Sequence, residues 1–353
     1  MHPALHTRFC ELTGVRHPIV QTGMGYVAGP RLASATSNAG GLGILAGATM
    51  DAAQLRDAVR ETRARTDQPF GVNLRSDAPD AEDRIDMLIA EGVKVASFAM
   101  APNERLIKKL KDAGVVVMPS IGAKRHAEKV AAWGVDAVIV QGGEGGGHTG
   151  SVPTTLLLPQ VVDAVGPDVA VVAAGGFFDG RGLVAALAYG ASGIAMGTRF
   201  LLTSDSTVPQ AVKDVYLGKS VTDTVVTTQV DGVPHRVLRS TLVDALERSG
   251  AIGRLARSAR NANDFRKLSH TSWPAMVREG LAMRKSQELT WSQVLMAGNT
   301  PMLLKAAMVD GRPDLGVMAS GQVVGVIEDL PSVADLIGRI VTQASEVLSR
   351  FQA

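Results

Sequence analysis

The chain has 353 residues, 46% of them hydrophobic, and a net charge of +2, which is enough to bury a substantial core in one large α/β domain or two domains. Its single cysteine, Cys10, excludes an internal disulfide framework and reads as a small buried hydrophobe in a reducing cytoplasm. No apolar run approaches the roughly 18 residues of a membrane span, the N-terminus lacks signal-peptide character, and the weak net charge gives no global field for nucleic acid; a cytoplasmic protein with small-molecule partners is expected.

From residue 18 to 200 a short apolar run, a polar or glycine turn and an Ala-rich amphipathic segment alternate. The predicted strands are Pro18–Gln21, Leu42–Ala46, Phe70–Leu74, Val93–Ala99, Val115–Ser120, Ala137–Gln141, Val169–Ala174 and Gly193–Gly197. Their starts lie roughly 22–32 residues apart, room for a strand, a helix and two loops. Asp51 provides an N-cap for one helix, and Gly114 and Gly134 stand where helices end. The continuous Val/Ile/Ala strands imply burial on both faces, as in a parallel sheet. Eight βα units favour a (β/α)8 TIM barrel over a doubly wound sheet, and the unusual residues at the strand ends would then ring one mouth.

Residues 203–310 break this rhythm. Val225–Val230 and Val233–Leu238 flank Asp231-Gly232, a hairpin signal; helical segments are expected over Thr241–Leu255, Trp273–Lys285 and Trp291–Met296. Between Arg236 and Lys285 eleven Arg/Lys face four Asp/Glu, a net of +7. Two readings stand side by side: solvated helix faces, or a basic lid that holds phosphates. The expected organisation is thus a barrel over 1–202 and 311–353 with a mostly helical inserted lid over 203–310. Gly316–Gly325 returns to barrel-like sequence, and Ser332 caps a last helix running to about Leu348.

The densest signal follows the sixth strand. Gly142 to Gly150 contains six glycines, interrupted only by Glu144, His148 and Thr149. Such glycines let backbone approach a ligand closely. His148 is suited to acid–base work because its unperturbed pKa lies near neutrality. A metal-ligand role is discounted, since no second His or Cys stands at ligand spacing. Glu144 is expected to hold a loop or accept a hydrogen bond. Gly145-x-Gly147-x-x-Gly150 is not a dinucleotide fingerprint, because Ser151-Val-Pro153 follows where a helix should open. Gly218-Lys-Ser220 is no Walker motif: Lys213 stands where the first glycine belongs. Paired Gly175-Gly176 after the seventh strand and Gly197-Thr198 after the eighth read either as tight turns only or, the favoured reading, as a phosphate site on backbone amides.

These motifs together resemble the nitronate monooxygenase (2-nitropropane dioxygenase) superfamily of FMN-dependent barrels. They are His17-Pro-Ile-Val-Gln-Thr-Gly-Met24, Ala39-Gly-Gly-Leu-Gly43, Phe70-Gly-Val-Asn-Leu74, Gln141 to Gly150, Ala173 to Gly182, Met196-Gly-Thr-Arg-Phe200 and Ala319-Ser-Gly-Gln-Val323. The resemblance implies FMN, with Gln21, Thr22, Gly23, Met24 and Asn73 along the isoalloxazine and Gln141, Gly142 and Gly147 nearby. It implies that Ala174, Gly175, Gly176, Gly197 and Thr198 hold the phosphate, that Gly321 and Gln322 approach from the C-terminal segment, and that His148 is the active-site histidine. Two departures bear on substrate: Thr22 replaces a motif glycine, and Thr149 follows the histidine where many nitronate-oxidising members carry Arg. Both depart from the nitronate-oxidising pattern, and the whole chain, including Thr290-Trp-Ser-Gln-Val294 and the basic insertion, looks closest to the branch associated with bacterial steroid-ring degradation, whose members act on coenzyme A thioesters. In that branch Ser120 would face substrate, Arg254, Arg257 and Arg260 would meet coenzyme A phosphates, and NAD(P)H or O2 would be the redox partner; a homo-oligomer is allowed. The alternatives are oxidation of alkyl nitronates with O2, and a flavin-free phosphate-binding barrel acting as an isomerase or binding protein.

Overall fold

The computed structural model describes residues 2–99, 102–248 and 299–351. Eight parallel strands close into a barrel in the order β1-β2-β3-β4-β5-β6-β8-β9. They are β1 (Ile19–Gln21), β2 (Leu42–Ala46), β3 (Phe70–Leu74), β4 (Val95–Phe98), β5 (Val116–Ile121), β6 (Ala137–Gln141), β8 (Ala170–Ala174) and β9 (Gly193–Met196). The expected strands are all present, with ends shifted by a residue or two. Closure is made by β9 pairing with β1, Ile19 opposite Ile194 and Gln21 opposite Met196.

Alternation along each strand sorts side chains into two layers. Val20, Ile44, Ile139 and Val172 fill the barrel interior, whereas their neighbours Ile19, Leu45, Val138 and Val171 pack outward under the helices. Helix α1 (Arg8–Thr13) plugs the N-terminal end of the barrel with Phe9 and Cys10. Cys10 is therefore a packing residue, and burial pushes its thiol pKa up.

The helices begin and end where local chemistry dictates. Asp51 and Gln54 form a reciprocal capping box at the start of α3 (Ala52–Arg65). Gly114 and Gly134 sit at φ +74° and +83° just past α5 (Glu104–Asp112) and α6 (Lys124–Ala132). The remaining outer helices are α2 (Pro30–Asn38), α4 (Ala81–Ala90), α7 (Thr154–Val165) and α8 (Gly180–Ala188). After β9 come the short α9 (Thr198–Leu201) and α10 (Gln210–Leu217), then α11 (Thr241–Arg248) and α12 (Asn299–Met308). The last helix, α13 (Val333–Arg350), is capped by the Ser332 hydroxyl and packs between α8 and α2, completing the outer ring. A Cβ on Gly180 would lie 2.5 Å from the backbone of Ile340 and Ala344, so glycine is what lets α8 meet α13. Among the described residues no helix is long and apolar enough to cross a membrane.

A second, three-stranded sheet lies outside the barrel: β10 (Thr224–Thr227), β11 (His235–Leu238) and β7 (Gly147–His148). Two expectations need correction here. The hairpin exists, but its strands are shorter than predicted and residues 228–234 form a long connection. Asp231 terminates pairing because its carboxylate accepts the Val233 N–H, while Gly232 takes φ +87°. The glycine-rich stretch after β6 is also not wholly loop, since Gly147 and His148 pair with Arg236 and His235. The helix expected over Thr241–Leu255 is described only as far as Arg248; the segments Trp273–Lys285 and Trp291–Met296 lie outside the described residues.

Candidate active site

The C-terminal ends of the strands converge as the parallel barrel requires. Gln21 ends β1 fully buried, and its Nε2 donates to Ile44 O at 3.2 Å and to Thr22 O. Its Oε1 is buried without a hydrogen-bond partner among the described residues. Thr22 donates its hydroxyl to Met196 O at 3.4 Å, joining the first strand's end to the last. Asn73 leans over Gly23 so closely that a Cβ on Gly23 would lie 2.4 Å from the Asn73 Cβ. Asn73 Nδ2 donates to Ser97 Oγ at 3.3 Å. A Cβ on Gly197 would meet Thr22 Oγ1 at 3.3 Å and Met24 Sδ at 3.4 Å, so these three share one wall. Ser120 is half-buried near the end of β5.

The opposite wall is built by the 141–150 stretch. Gly142 has Thr154 against its α-carbon, where a Cβ would sit 2.0 Å from Thr154 Oγ1. Glu144 accepts the Thr154 hydroxyl at 2.7 Å and the Thr154 N–H at 3.0 Å, capping α7 as a loop-holding acceptor. Gln141 Nε2 donates to His148 O at 2.8 Å and so fixes the histidine backbone. The C-terminal segment closes down on this stretch: Gln322 N–H donates to Glu144 O, and Gly321 N–H to Thr198 Oγ1, each at 3.0 Å. Strand β11 gathers both, pairing with β7 and forming the bridge Val237–Ala319.

His148 stands on β7 with its side chain 57% exposed. Its Nε2 lies 2.7 Å from Asp231 Oδ2. The same oxygen is 3.6 Å from His235 Nδ1, longer than a hydrogen bond. The two imidazole rings are 4.6 Å apart and tilted by 52°. Burial alone would raise the Asp231 pKa, but the hydrogen bond from His148 and the proximity of both imidazoles outweigh it and hold the carboxyl well below the usual range. Burial lowers the pKa of His235. It also lowers that of Arg236, whose guanidinium donates to Gly143 O at 2.8 Å and Thr224 Oγ1 at 3.0 Å.

Asp231, His235 and Arg236 were not singled out from sequence; Asp231 reaches His148 from 83 residues away. No second histidine stands at ligand spacing from His148 along the chain, but the fold brings the His235 ring within 4.6 Å of it. Arg254, Arg257 and Arg260 lie outside the described residues.

The sequence profile of the nitronate monooxygenase family matches residues 6–87 and 82–343. The chain belongs to the nitronate monooxygenase family. It is accordingly a flavin-dependent oxidoreductase on a TIM barrel. Two relatives carry the name (3aS,4S,5R,7aS)-5-hydroxy-7a-methyl-1-oxo-octahydro-1H-indene-4-carboxyl-CoA dehydrogenase. The one from Mycobacterium tuberculosis is 64% identical over 341 residues, 96% of each chain. The one from Rhodococcus jostii is 62% identical over 340 residues, again 96% of each. A probable nitronate monooxygenase of Staphylococcus aureus is 31% identical over 285 residues, 68% of this chain and 80% of its own. Among solved structures, FabK from Thermotoga maritima superposes with a TM-score of 0.78 at 34% identity, covering 98% of both chains.

The mouth fits a flavin on observations of its own. Gly175 and Gly176 adopt φ +96° and +85°, which presents loop amides without side chains. A Cβ on Gly175 would crowd Gly142 O and Gly145 N at 3.1 and 3.2 Å. The buried, unpartnered Gln21 Oε1 is an acceptor awaiting a donor.

Proposed function

We propose that the protein is an FMN-dependent dehydrogenase of a steroid-ring-derived acyl-CoA, taking hydrogen from a hydroxy-methyl-oxo-octahydroindene carboxyl-CoA or a close analogue. The observation that carries this reading is the extent of the likeness. Identity of 64% runs through 96% of both chains, whereas the match to the nitronate monooxygenase from Staphylococcus aureus spans 68% of this one. Residues 203–310 then serve as a substrate-facing lid, with Arg254, Arg257 and Arg260 on the coenzyme A phosphates. Ala174, Gly175, Gly176, Gly197 and Thr198 would hold the FMN phosphate. Gln21, Thr22, Gly23, Met24 and Asn73 would line its ring, beside Gln141, Gly142 and Gly147 and under Gly321 and Gln322.

Bound flavin would supply the acceptor for the two electrons removed from substrate. His148 takes the proton from the carbon next to the thioester carbonyl, a position the carbonyl acidifies. The Thr22 and Ser120 hydroxyls offer donors to the thioester oxygen as negative charge grows on it. A cytoplasmic setting suits the free thiol Cys10 and the use of coenzyme A thioesters.

The test is anaerobic. Holoprotein whose released flavin is identified by mass as FMN is mixed with the acyl-CoA or, separately, with an alkyl nitronate, and loss of flavin absorbance is followed. Bleaching by the acyl-CoA, slowed when Arg254, Arg257 and Arg260 are neutralised, is the expected result. Bleaching by the nitronate alone overturns the reading. Reoxidation with NAD(P)+ or O2 then identifies the electron acceptor.

A further inference from the structure

We infer that Asp231 is the positioning residue of the acid–base histidine: it holds the proton of neutral His148 on Nε2, so that Nδ1 is the atom that takes the substrate proton. This rests on the reading of His148 as the base.

The geometry leaves little choice of tautomer. Asp231 is buried, with its side chain 6% exposed, and lies 2.7 Å from His148 Nε2. An ionised carboxylate can only accept. The nitrogen facing it must therefore carry hydrogen, and in the neutral ring the lone pair falls to Nδ1. The attachment is also rigid. Gln141 Nε2 holds His148 O at 2.8 Å, and β7 is paired to β11 in a register that sets His235 directly opposite His148. The His235 ring, 3% exposed, stands 4.6 Å from that of His148 and limits its rotation.

Among the described residues, two other charged groups nearby are committed elsewhere. Arg236 is turned to Gly143 O and Thr224 Oγ1, and Glu144 to Thr154. The resulting step balances. The proton on the carbon next to the thioester carbonyl passes to Nδ1. The electron pair of that C–H bond becomes the new C=C bond, and bound flavin would accept the hydride that leaves the adjacent carbon. The imidazolium so formed keeps its Nε2–H on Asp231, which stays ionised throughout, as in the orienting carboxylate of a catalytic triad.

The experiment reads the tautomer directly, without substrate. Holoprotein labelled with 15N-histidine is examined by long-range 1H–15N correlation at alkaline pH, with His148 assigned by its absence in His148→Gln. Protonated Nε2 and bare Nδ1 are expected. Asp231→Asn, whose amide can instead donate to Nε2, should show a mixed or inverted pattern. It should also slow anaerobic flavin reduction by about 100-fold or more at saturating acyl-CoA, with KM nearly unchanged. A His148 ring protonated on Nδ1 in the unmodified holoprotein overturns the inference, even if the variant fails to fold. So does an Asp231→Asn variant with both tautomer and rate unchanged. If the tautomer is as expected but no acyl-CoA reduces the flavin, the substrate reading fails and the role of Asp231 stands.

Discussion

Replacing Gly146 by alanine should loosen the flavin site from the C-terminal side. A Cβ at this position would stand 2.4 Å from Ser320 C and 2.5 Å from Gly321 N. Both are backbone atoms, and ordinary contact begins near 3.4 Å, so one loop must retreat by about 1 Å at van der Waals contact. The hydrogen bonds in the way of that retreat are Gly321 N–H to Thr198 Oγ1 and Gln322 N–H to Glu144 O, both 3.0 Å. At about 0.5–1.5 kcal/mol net each, their loss amounts to roughly 1–3 kcal/mol. Expressed at the site, that is about 5- to 150-fold weaker flavin binding. Quenching of flavin fluorescence on titrating apoprotein measures it. Gly134→Ala serves as a control, because Gly134 has positive φ but open space and follows α6, away from the mouth. That variant should lose stability while binding flavin normally. A Gly146→Ala protein matching the unmodified one in both flavin affinity and thermal stability would refute the packing argument.

Glu144→Ala removes the acceptor for the Thr154 N–H and hydroxyl at the start of α7; it should cost about 0.5–2 kcal/mol, seen as a lower urea midpoint at unchanged m-value. His235→Phe should flatten part of the pH dependence of stability. The folded pKa of His235 is lowered by burial, so as pH falls below about 6.5 the unfolded chain binds the proton first, and stability drops by up to ~1.4 kcal/mol per pH unit until the folded value is passed. Chemical unfolding between pH 5 and 8 tests this, and an unmodified protein with no slope in that window would count against a buried neutral His235. Gly180→Ala drives a methyl into the α13 backbone and should cost roughly 1–3 kcal/mol of thermal stability while leaving flavin affinity intact.

The barrel was legible in the chain because its strands are buried on both faces and its turns need glycine. Leu42–Ala46, Phe70–Leu74 and Ala137–Gln141 coincide with the expected strands residue for residue. Glu144 took the loop-holding role that a carboxylate among glycines suggested. The second sheet was legible only in part. Its hairpin was announced by Asp231-Gly232, but that signal spoke for a turn and concealed a carboxylate aimed at His148. Arg236 was counted as the first charge of a basic run, yet its guanidinium reaches Gly143 from 93 residues along the chain. Contacts at such separation leave no periodicity, so pattern alone could not connect His148 with Asp231 and His235.

The register between β7 and β11 has a consequence for how this fold can diversify. The groups proposed to hold the flavin belong to the barrel, while the surroundings of His148 are supplied by residues 224–238. A slip of one residue on β11 would set Pro234 or Arg236 opposite His148 in place of His235, inverting the face on which every following side chain lies. Proton handling is thereby an exchangeable cassette: small changes in one short strand can retune the base without redrawing the flavin cradle, so a lineage can acquire new carbon acids while inheriting its redox centre unchanged.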